Sequence, residues 1–403
     1  MRVDIGAIDR TQFKVVEEAG EHLVIPLKDK FRWRDDEVHL RSLVLDANGH
    51  VLSAGFPKFF NFGEQPERDR ELAAAIARGA VEWPEKLDGS LIVADRIAGV
   101  PRLRTRGRRV LGEFAPEVEA LIEAEYPRLH DFLRDDPLLA DHSLLFEFLH
   151  PARAIVLRAE RPALYLLGYV DKHRIHPAWD AATLARISAA TAIPVAPLHP
   201  LPADLDAALT HVRNWKGKEG VVARFHADDG VARLVKIKAA DYLRLHAYRS
   251  RLAGARALKI AWLLDLEHAD QLLPRLAPYG LDWEAAEFAR PDVVPYLARR
   301  KAAHARYDAL HAVIEPWLGA RDKAEKRAYV ERVRSYLAGA DAFREDWWFT
   351  VAMRLFDANI EDARLVVDAT VLDESAPSLR IWRKDPAAEI RAILTAPVRE
   401  EDG

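Results

Sequence analysis

The chain contains no cysteine, which excludes disulfides, thiol nucleophiles and cysteine-ligated zinc together. It also has almost no excess of charge of either sign. Lys and Arg number 59 against 63 Asp and Glu, leaving a formal net charge of -4. A chain so balanced does not coat nucleic acid non-specifically, so a polyanion site has to be a local patch. No apolar run approaches the roughly 18 residues needed to cross a bilayer, and the opening stretch from Met1 to Gly6 has no apolar core of signal-peptide type. These absences point to a soluble protein of the reducing cytoplasm. None of the 15 histidines falls in a recognisable metal-ligand or general-base spacing, which leaves histidine-based and serine-triad hydrolysis without support.

What the chain does have is size: 403 residues, half of them apolar, enough for a large core and two domains. Its most informative stretch is Glu85-Lys86-Leu87-Asp88-Gly89-Ser90. A lysine followed at two, three and four residues by Asp, Gly and Ser places an amine on a tight turn. The glycine lets backbone approach a ligand closely, and the aspartate is positioned to hold the amine or a metal. The run Leu91 to Ala94 reads as the strand that anchors this turn.

Upstream, Val38 to Leu45 reads as a strand, and Asp46-Ala47-Asn48-Gly49 as the turn of a hairpin returning through Val51 to Ser53. Phe56, Phe59, Phe60 and Phe62 crowd the stretch around Lys58 and Asn61. Residues 68–80 form a short helix. Downstream, five arginines fall between Arg102 and Arg109. Read as a strand, this stretch projects Arg102, Arg104 and Arg106 to one side, a row suited to bidentate phosphate binding. Residues 113–141 form a helical cover broken at Pro116, Pro127 and Pro137. Ser143 to Phe148, Arg153 to Leu157 and Leu164 to Val170 read as three strands. Glu147, set between two phenylalanines, needs a cation or hydrogen-bond donors if buried. Residues 178–213 are proline-rich connections and short helices that offer no chemistry. A turn through Lys218, Glu219 and Gly220 enters a strand at Val221, and Leu234 to Lys238 returns, with Lys236 and Lys238 on the same face.

In order, the lysine turn, Leu145-Phe146-Glu147-Phe148, Lys218-Glu219-Gly220-Val221-Val222 and Leu234-Val235-Lys236-Ile237-Lys238 resemble the motifs of the covalent nucleotidyltransferases, the polynucleotide ligases and mRNA capping enzymes. Lys58-Phe59-Phe60-Asn61 ahead of the lysine, with Tyr242 four residues after Lys238, narrows the resemblance to the phage-type RNA ligases, ATP-dependent enzymes of tRNA repair. The resemblance spans roughly residues 37–246. It implies an α+β nucleotidyltransferase domain of antiparallel sheets with flanking helices. It also implies Lys86 as nucleophile, with Lys236 and Lys238 at the α-phosphate and leaving group. ATP contacts are implied for Arg41, Lys58, Glu85, Asp88, Arg106, Glu147 and Tyr242, where Arg106 replaces the more familiar lysine. Glu219, Asp88 and Glu147 are implied as ligands of Mg²⁺ or Mn²⁺, hard cations that suit carboxylates.

An ordinary lysine keeps its proton to about pH 10.4, so the amine has to be activated. Lys236, Lys238 and the metal are expected to lower its pKa. AMP would then pass to an RNA 5′-phosphate and be displaced by a 3′-hydroxyl. Beyond residue 247 the sequence changes to Ala-, Leu- and Arg-rich helical stretches, Arg249 to Leu266, Val294 to Leu318 and Ala324 to Leu337, separated by Pro and Gly breaks. They predict an all-α C-terminal domain, 247–403, after an adenylyltransferase domain, 1–246. Basic faces at Arg299-Arg300-Lys301 and Lys323 to Arg334 suit RNA, while Trp347-Trp348-Phe349 reads as core. Two alternatives stay open: a same-fold enzyme acting on DNA or a cap, and a silent RNA-end-binding protein. Intact Lys86, Glu219, Lys236 and Lys238 argue against the second.

Overall fold

The structure is a computed structural model and describes residues 1–27, 32–319 and 321–396. Two compact units divide the chain, Met1–Arg244 and the segment from Leu245 onward.

The first unit is built on fourteen strands: β1 Phe13–Glu18, β2 Glu21–Pro26, β3 Leu43–Asp46, β4 Val51–Ala54, β5 Phe60–Asn61, β6 Val81–Glu82, β7 Glu85–Lys86, β8 Ser90–Ile97, β9 Val100–Thr105, β10 His142–Leu149, β11 Ala163–Asp171, β12 His176–Ala178, β13 Gly220–His226 and β14 Ala232–Lys238. They form three sheets, in the orders β1-β2-β3-β4, β12-β11-β10-β8-β9 and β5-β14-β13-β6, with β7 pairing to β13. All pairings are antiparallel except β5 with β14.

Alternation along the strands explains how the sheets stack. In β8, Ile92 and Ala94 enter a core shared with helices Ala115–Glu125, Leu129–Asp135 and Ala181–Thr191, whereas Leu91 and Val93 enter a core shared with the first sheet. The central sheet is therefore covered on both faces, and β8 reads as a nearly unbroken apolar run. In β14, Val235 and Ile237 pack on helices Pro66–Ala77 and Leu205–Arg213. The same alternation turns Lys236 and Lys238 to the opposite face of that sheet.

Four local expectations change. The first hairpin, β1–β2, lies where the sequence offered little, because its Ala19-Gly20 turn takes positive φ at both residues and only the glycine announces this. Val38–Arg41 is a 3₁₀ helix, and the strand begins only at Leu43. Residues 153–157 are not a strand. Their backbone is committed elsewhere, with the N–H groups of Val156 and Leu157 donating to Asp88 Oδ2 at 2.7 and 2.6 Å. Of the three prolines in 113–141, Pro116 opens a helix instead of breaking one.

The arginine row is also placed differently. Arg102 donates to both oxygens of Glu21, at 2.8 and 2.6 Å, and Arg104 is 1% exposed, donating to Ser53 and Ser42. The row ties the central sheet to the first one. Arg106 follows the end of β9, and its carbonyl accepts from Ser42 Oγ at 2.9 Å.

The second unit is helical over its described residues, from Leu245 to 396. Its long helix Trp283–Ile314 runs through Pro291 and Pro295 without ending. Trp348 is fully buried with Trp347 stacked on it at 4.0 Å, as a core pair. Arg300 does not join a basic outer face: it bonds to Asp368 at 3.1 Å and Asp265 at 3.0 Å.

Candidate active site

The register around β13 assembles the site. Gly220 lies opposite Lys86 of β7 on one side and opposite Lys238 of β14 on the other. Only glycine fits there. Its φ is +147°, and a Cβ would fall 2.1 Å from the Ile237 carbonyl oxygen. The residue before it, Glu219, is 3% exposed, and its Oε1 lies 2.8 Å from Lys86 Nζ and 3.6 Å from Lys238 Nζ. One buried carboxylate thus sits between the two lysines.

The turn after Lys86 is fixed from behind. Gly89 passes so close to β10 that a Cβ would meet the Phe148 carbonyl oxygen at 2.5 Å. Its N–H donates to Glu147 Oε1 at 3.0 Å. Asp88 is buried and uses both oxygens: Oδ2 accepts the two backbone N–H groups described above, and Oδ1 accepts from the Tyr242 hydroxyl at 2.8 Å. Burial and the carboxylates of Glu219 and Asp88 drive the Tyr242 phenol far above its ordinary pKa, so it stays a donor. Asp88 is therefore bound as the clamp of the lysine turn.

At Lys86, burial and the neighbouring carboxylates act in opposite directions. Burial alone lowers the pKa of the ammonium, but the carboxylates of Glu219, Glu147 and Asp88 outweigh it and hold the value above that of an ordinary lysine. Glu147 responds in the complementary way: burial pushes its carboxyl up to about 8, aided by Glu219 and opposed by Lys86.

A cavity of about 70 Å³ opens beside these groups, lined by Arg41, Phe59, Glu85, Lys86, Glu147, Trp179, Arg224 and Lys236 among others. Arg41, nearly fully buried, reaches it from the 3₁₀ turn. Its guanidinium lies 5.7 Å from the Phe59 ring centre and Lys236 Nζ lies 4.9 Å from it, so this ring is a shared cation–π platform. Lys58 is not among the cavity's lining residues. It lines a neighbouring groove and lies over Trp33 and Phe60, at 5.8 and 5.4 Å. Lys86, Lys236, Lys238, Glu219, Glu147, Glu85, Arg41, Asp88 and Tyr242 are thus brought together, while Lys58 and Arg106 stand apart from the cavity wall.

Three residues escaped the sequence reading. Trp179 and Arg224 line the cavity, Arg224 paired to Glu82 at 2.7 Å. His199 binds Glu85 at 2.8 Å. No spacing signal marks His199, because it acts from a loop more than a hundred residues beyond its partner. Among the described residues, no three acidic or histidine side chains converge as a ready metal cage. Magnesium needs only one or two carboxylates when phosphates complete its shell, and Glu219 and Glu147 offer those.

Comparison with curated proteins gives no match. Among solved structures, an archaeal ATP-dependent RNA ligase is 17% identical with a TM-score of 0.41, over 83% of this chain and 78% of that one. A putative ATP-dependent DNA ligase from Aquifex aeolicus is 14% identical with a TM-score of 0.36, over 81% of this chain and 85% of its own. A mutant RNA ligase of Naegleria gruberi with ATP and Mn is 15% identical with a TM-score of 0.31, over 58% and 75%. The sequence pattern of the RNA ligase family matches residues 39–243, half of the chain and all of the motifs gathered around Gly220, so the chain belongs to the RNA ligase family, the ATP-dependent enzymes that its motifs resemble.

Proposed function

We propose that this protein joins an RNA 5′-phosphate to an RNA 3′-hydroxyl, as in tRNA repair, through a lysyl-adenylate on Lys86. The observation that carries this reading is the in-register row Lys86, Gly220, Lys238, with the Glu219 carboxylate 2.8 Å from the Lys86 amine. Phosphoryl transfer depends on placement and charge neutralisation, and the row supplies both. Lys86 Nζ, once deprotonated, forms a bond to the α-phosphorus of ATP while the bond to the bridging oxygen breaks and pyrophosphate leaves. Lys236 and Lys238 hold the α-phosphate and the leaving group. Arg41 shares the Phe59 platform with Lys236 and reaches the outer phosphates. AMP then moves to the RNA 5′-phosphate, and the 3′-hydroxyl displaces it.

Glu219 and Glu147 would hold Mg²⁺ or Mn²⁺, and a bound ion would supply positive charge to neutralise the phosphates there. In the protein alone the carboxylates hold the Lys86 amine in its charged form.

The test is incubation with Mg²⁺ and α-labelled ATP or GTP, after any bound AMP has been stripped with pyrophosphate. The expected outcome is an acid-labile label from ATP that Lys86→Ala abolishes. Label from GTP would move the reading to capping chemistry. No label on folded protein would remove the ligase mechanism.

A further inference from the structure

The loop between helices Ala181–Thr191 and Leu205–Arg213 yielded no chemistry as sequence, yet it is stitched to the lysine strand. Leu166 N donates to the Pro194 carbonyl at 2.8 Å and Ala196 N to the Leu166 carbonyl at 2.9 Å, fixing the loop to the central sheet. Glu85 N then donates to the Pro197 carbonyl at 2.7 Å, and His199 N to the Trp83 carbonyl at 3.0 Å, fixing it to the segment that ends at Lys86. The loop delivers one side chain to the residue beside the nucleophile: His199 Nε2 lies 2.8 Å from Glu85 Oε2. A carboxylate only accepts, so this nitrogen carries the proton. Lys218, from the turn before Glu219, donates to the same oxygen at 2.5 Å. Trp215 packs on both, 4.8 Å from the His199 ring and 5.4 Å from Lys218 Nζ.

Both donors fall on Oε2. Among the described residues none is hydrogen-bonded to Oε1, although Glu85 lines the cavity with Lys86. Two charge-capable donors on one oxygen fix the carboxylate's rotation and leave the other oxygen as a fixed acceptor. We propose that His199 and Lys218 are positioning residues that lock Glu85 so that its Oε1 accepts a hydrogen bond from an N–H or O–H group of the nucleoside bound in the cavity. The inference rests on the reading of that cavity as the nucleotide site and adds how the nucleoside is selected there. A ribose hydroxyl and the adenine 6-amino group are the two kinds of donor that the adenosine of ATP offers.

The experiment measures kcat/KM for labelling of Lys86 by ATP, by 2′-deoxy-ATP and by purine riboside triphosphate, which lacks the 6-amino group. In the wild type, one analogue is expected to fall about tenfold to hundredfold below ATP, the range for a hydrogen bond to a charged group. In His199→Ala that gap shrinks because the ATP rate drops toward the analogue's rate, and His199→Gln, which keeps an N–H donor, restores it. Lys218→Met, at a more exposed position, shrinks the gap as well and serves if His199→Ala does not fold. A merely structural loop contact would slow all three nucleotides alike. The inference is overturned if wild-type protein labels equally well with all three, or if the gap is the same in wild type and variants. Failure of the underlying reading looks different: folded, AMP-stripped wild-type protein takes no label from any nucleotide.

Discussion

Each of the two units buries an aspartate almost completely, Asp95 at 2% and Asp368 at 1% exposure, and the two carboxyls respond in opposite directions. In the first unit, Asp95 accepts from the hydroxyls of Ser53 and Ser143, at 2.5 and 2.6 Å, while the nearest cation, Lys172, stands 3.8 Å away. Burial prevails and its pKa rises. In the helical unit, burial acts on Asp368 in the same sense, but His304 at 2.8 Å, Arg300 at 3.1 Å and the Trp262 N–H at 2.8 Å together hold the pKa below its ordinary value. Depth is the same, so the partners decide the sign. Neutral hydroxyls do not compensate a buried charge, and directly bonded cations do. Glu147, with a backbone donor in Gly89 and a carboxyl raised to about 8, follows the Asp95 pattern at the site itself.

The largest expected effect comes from Asp368→Asn. It leaves Arg300 and His304 around a neutral amide, and removing one partner of a buried ion pair costs about 3–5 kcal/mol. The pH dependence follows from the direction of the shift. A carboxyl with a depressed folded pKa contributes stability that is present above its unfolded value, about 3.9, and lost as pH falls through the folded value. Urea unfolding followed by tryptophan fluorescence should therefore show wild type and variant far apart at pH 7 and converging in acid. A deficit independent of pH would break the comparison.

The two units were legible to different degrees for a related reason. Motifs at fixed spacing were readable wherever the chemistry is local in sequence, as in the lysine turn and the pair Lys236 and Lys238, and helical periodicity was enough to announce the α character of the second unit. What the sequence concealed were long-range pairings. Arg104 and Arg102 look like phosphate binders until Ser42, Ser53 and Glu21 arrive from the first sheet. Arg300 looks like an outer face until Asp368 meets it 68 residues later. Val156 and Leu157 look like strand residues until Asp88 takes their N–H groups. His199 carries no spacing signal because its partner Glu85 lies 114 residues away. The carboxylate beside Lys86 was hidden on the same account, since same-strand spacing places Lys236 and Lys238 together but does not place Glu219 between Lys86 and Lys238.

A pair of glycines sharpens the contrast at intermediate size. Gly220→Ala drives a Cβ into the Ile237 carbonyl, 2.1 Å away, and overpacking of this kind costs about 1–3 kcal/mol. Because it shifts β13 against both β7 and β14, labelling of Lys86 should fall by more than the stability loss accounts for. Gly280→Ala in the helical unit meets nothing within 4 Å and carries only the left-handed backbone penalty at φ +76°, about 1 kcal/mol. Thermal unfolding and labelling of both variants check this, and equal effects on labelling would show that the Gly220 register does not hold the site.

The smallest effect is expected for Asp95→Asn, and it carries the opposite pH signature. An amide can keep one hydroxyl as donor to its oxygen and turn its NH₂ toward the other, since serine hydroxyls rotate freely between donor and acceptor roles. The loss at pH 7 should therefore stay within about 1 kcal/mol. The raised folded pKa means that the native protein holds a proton that the unfolded chain has already released. Wild-type stability should then decline, relative to the variant, as pH rises from the unfolded value of about 3.9 through the folded one. Arg104, whose own pKa burial lowers to about 10, is bridged to Asp95 by Ser53 and also attracts its charge through space, but does not reverse this. Stability curves of the two proteins between acid and neutral pH decide the matter. If Asp95→Asn instead loses several kcal/mol at pH 7 and recovers in acid, Asp95 is an ionised partner of Lys172, and two hydroxyls with a cation at 3.8 Å are enough to sustain a buried charge.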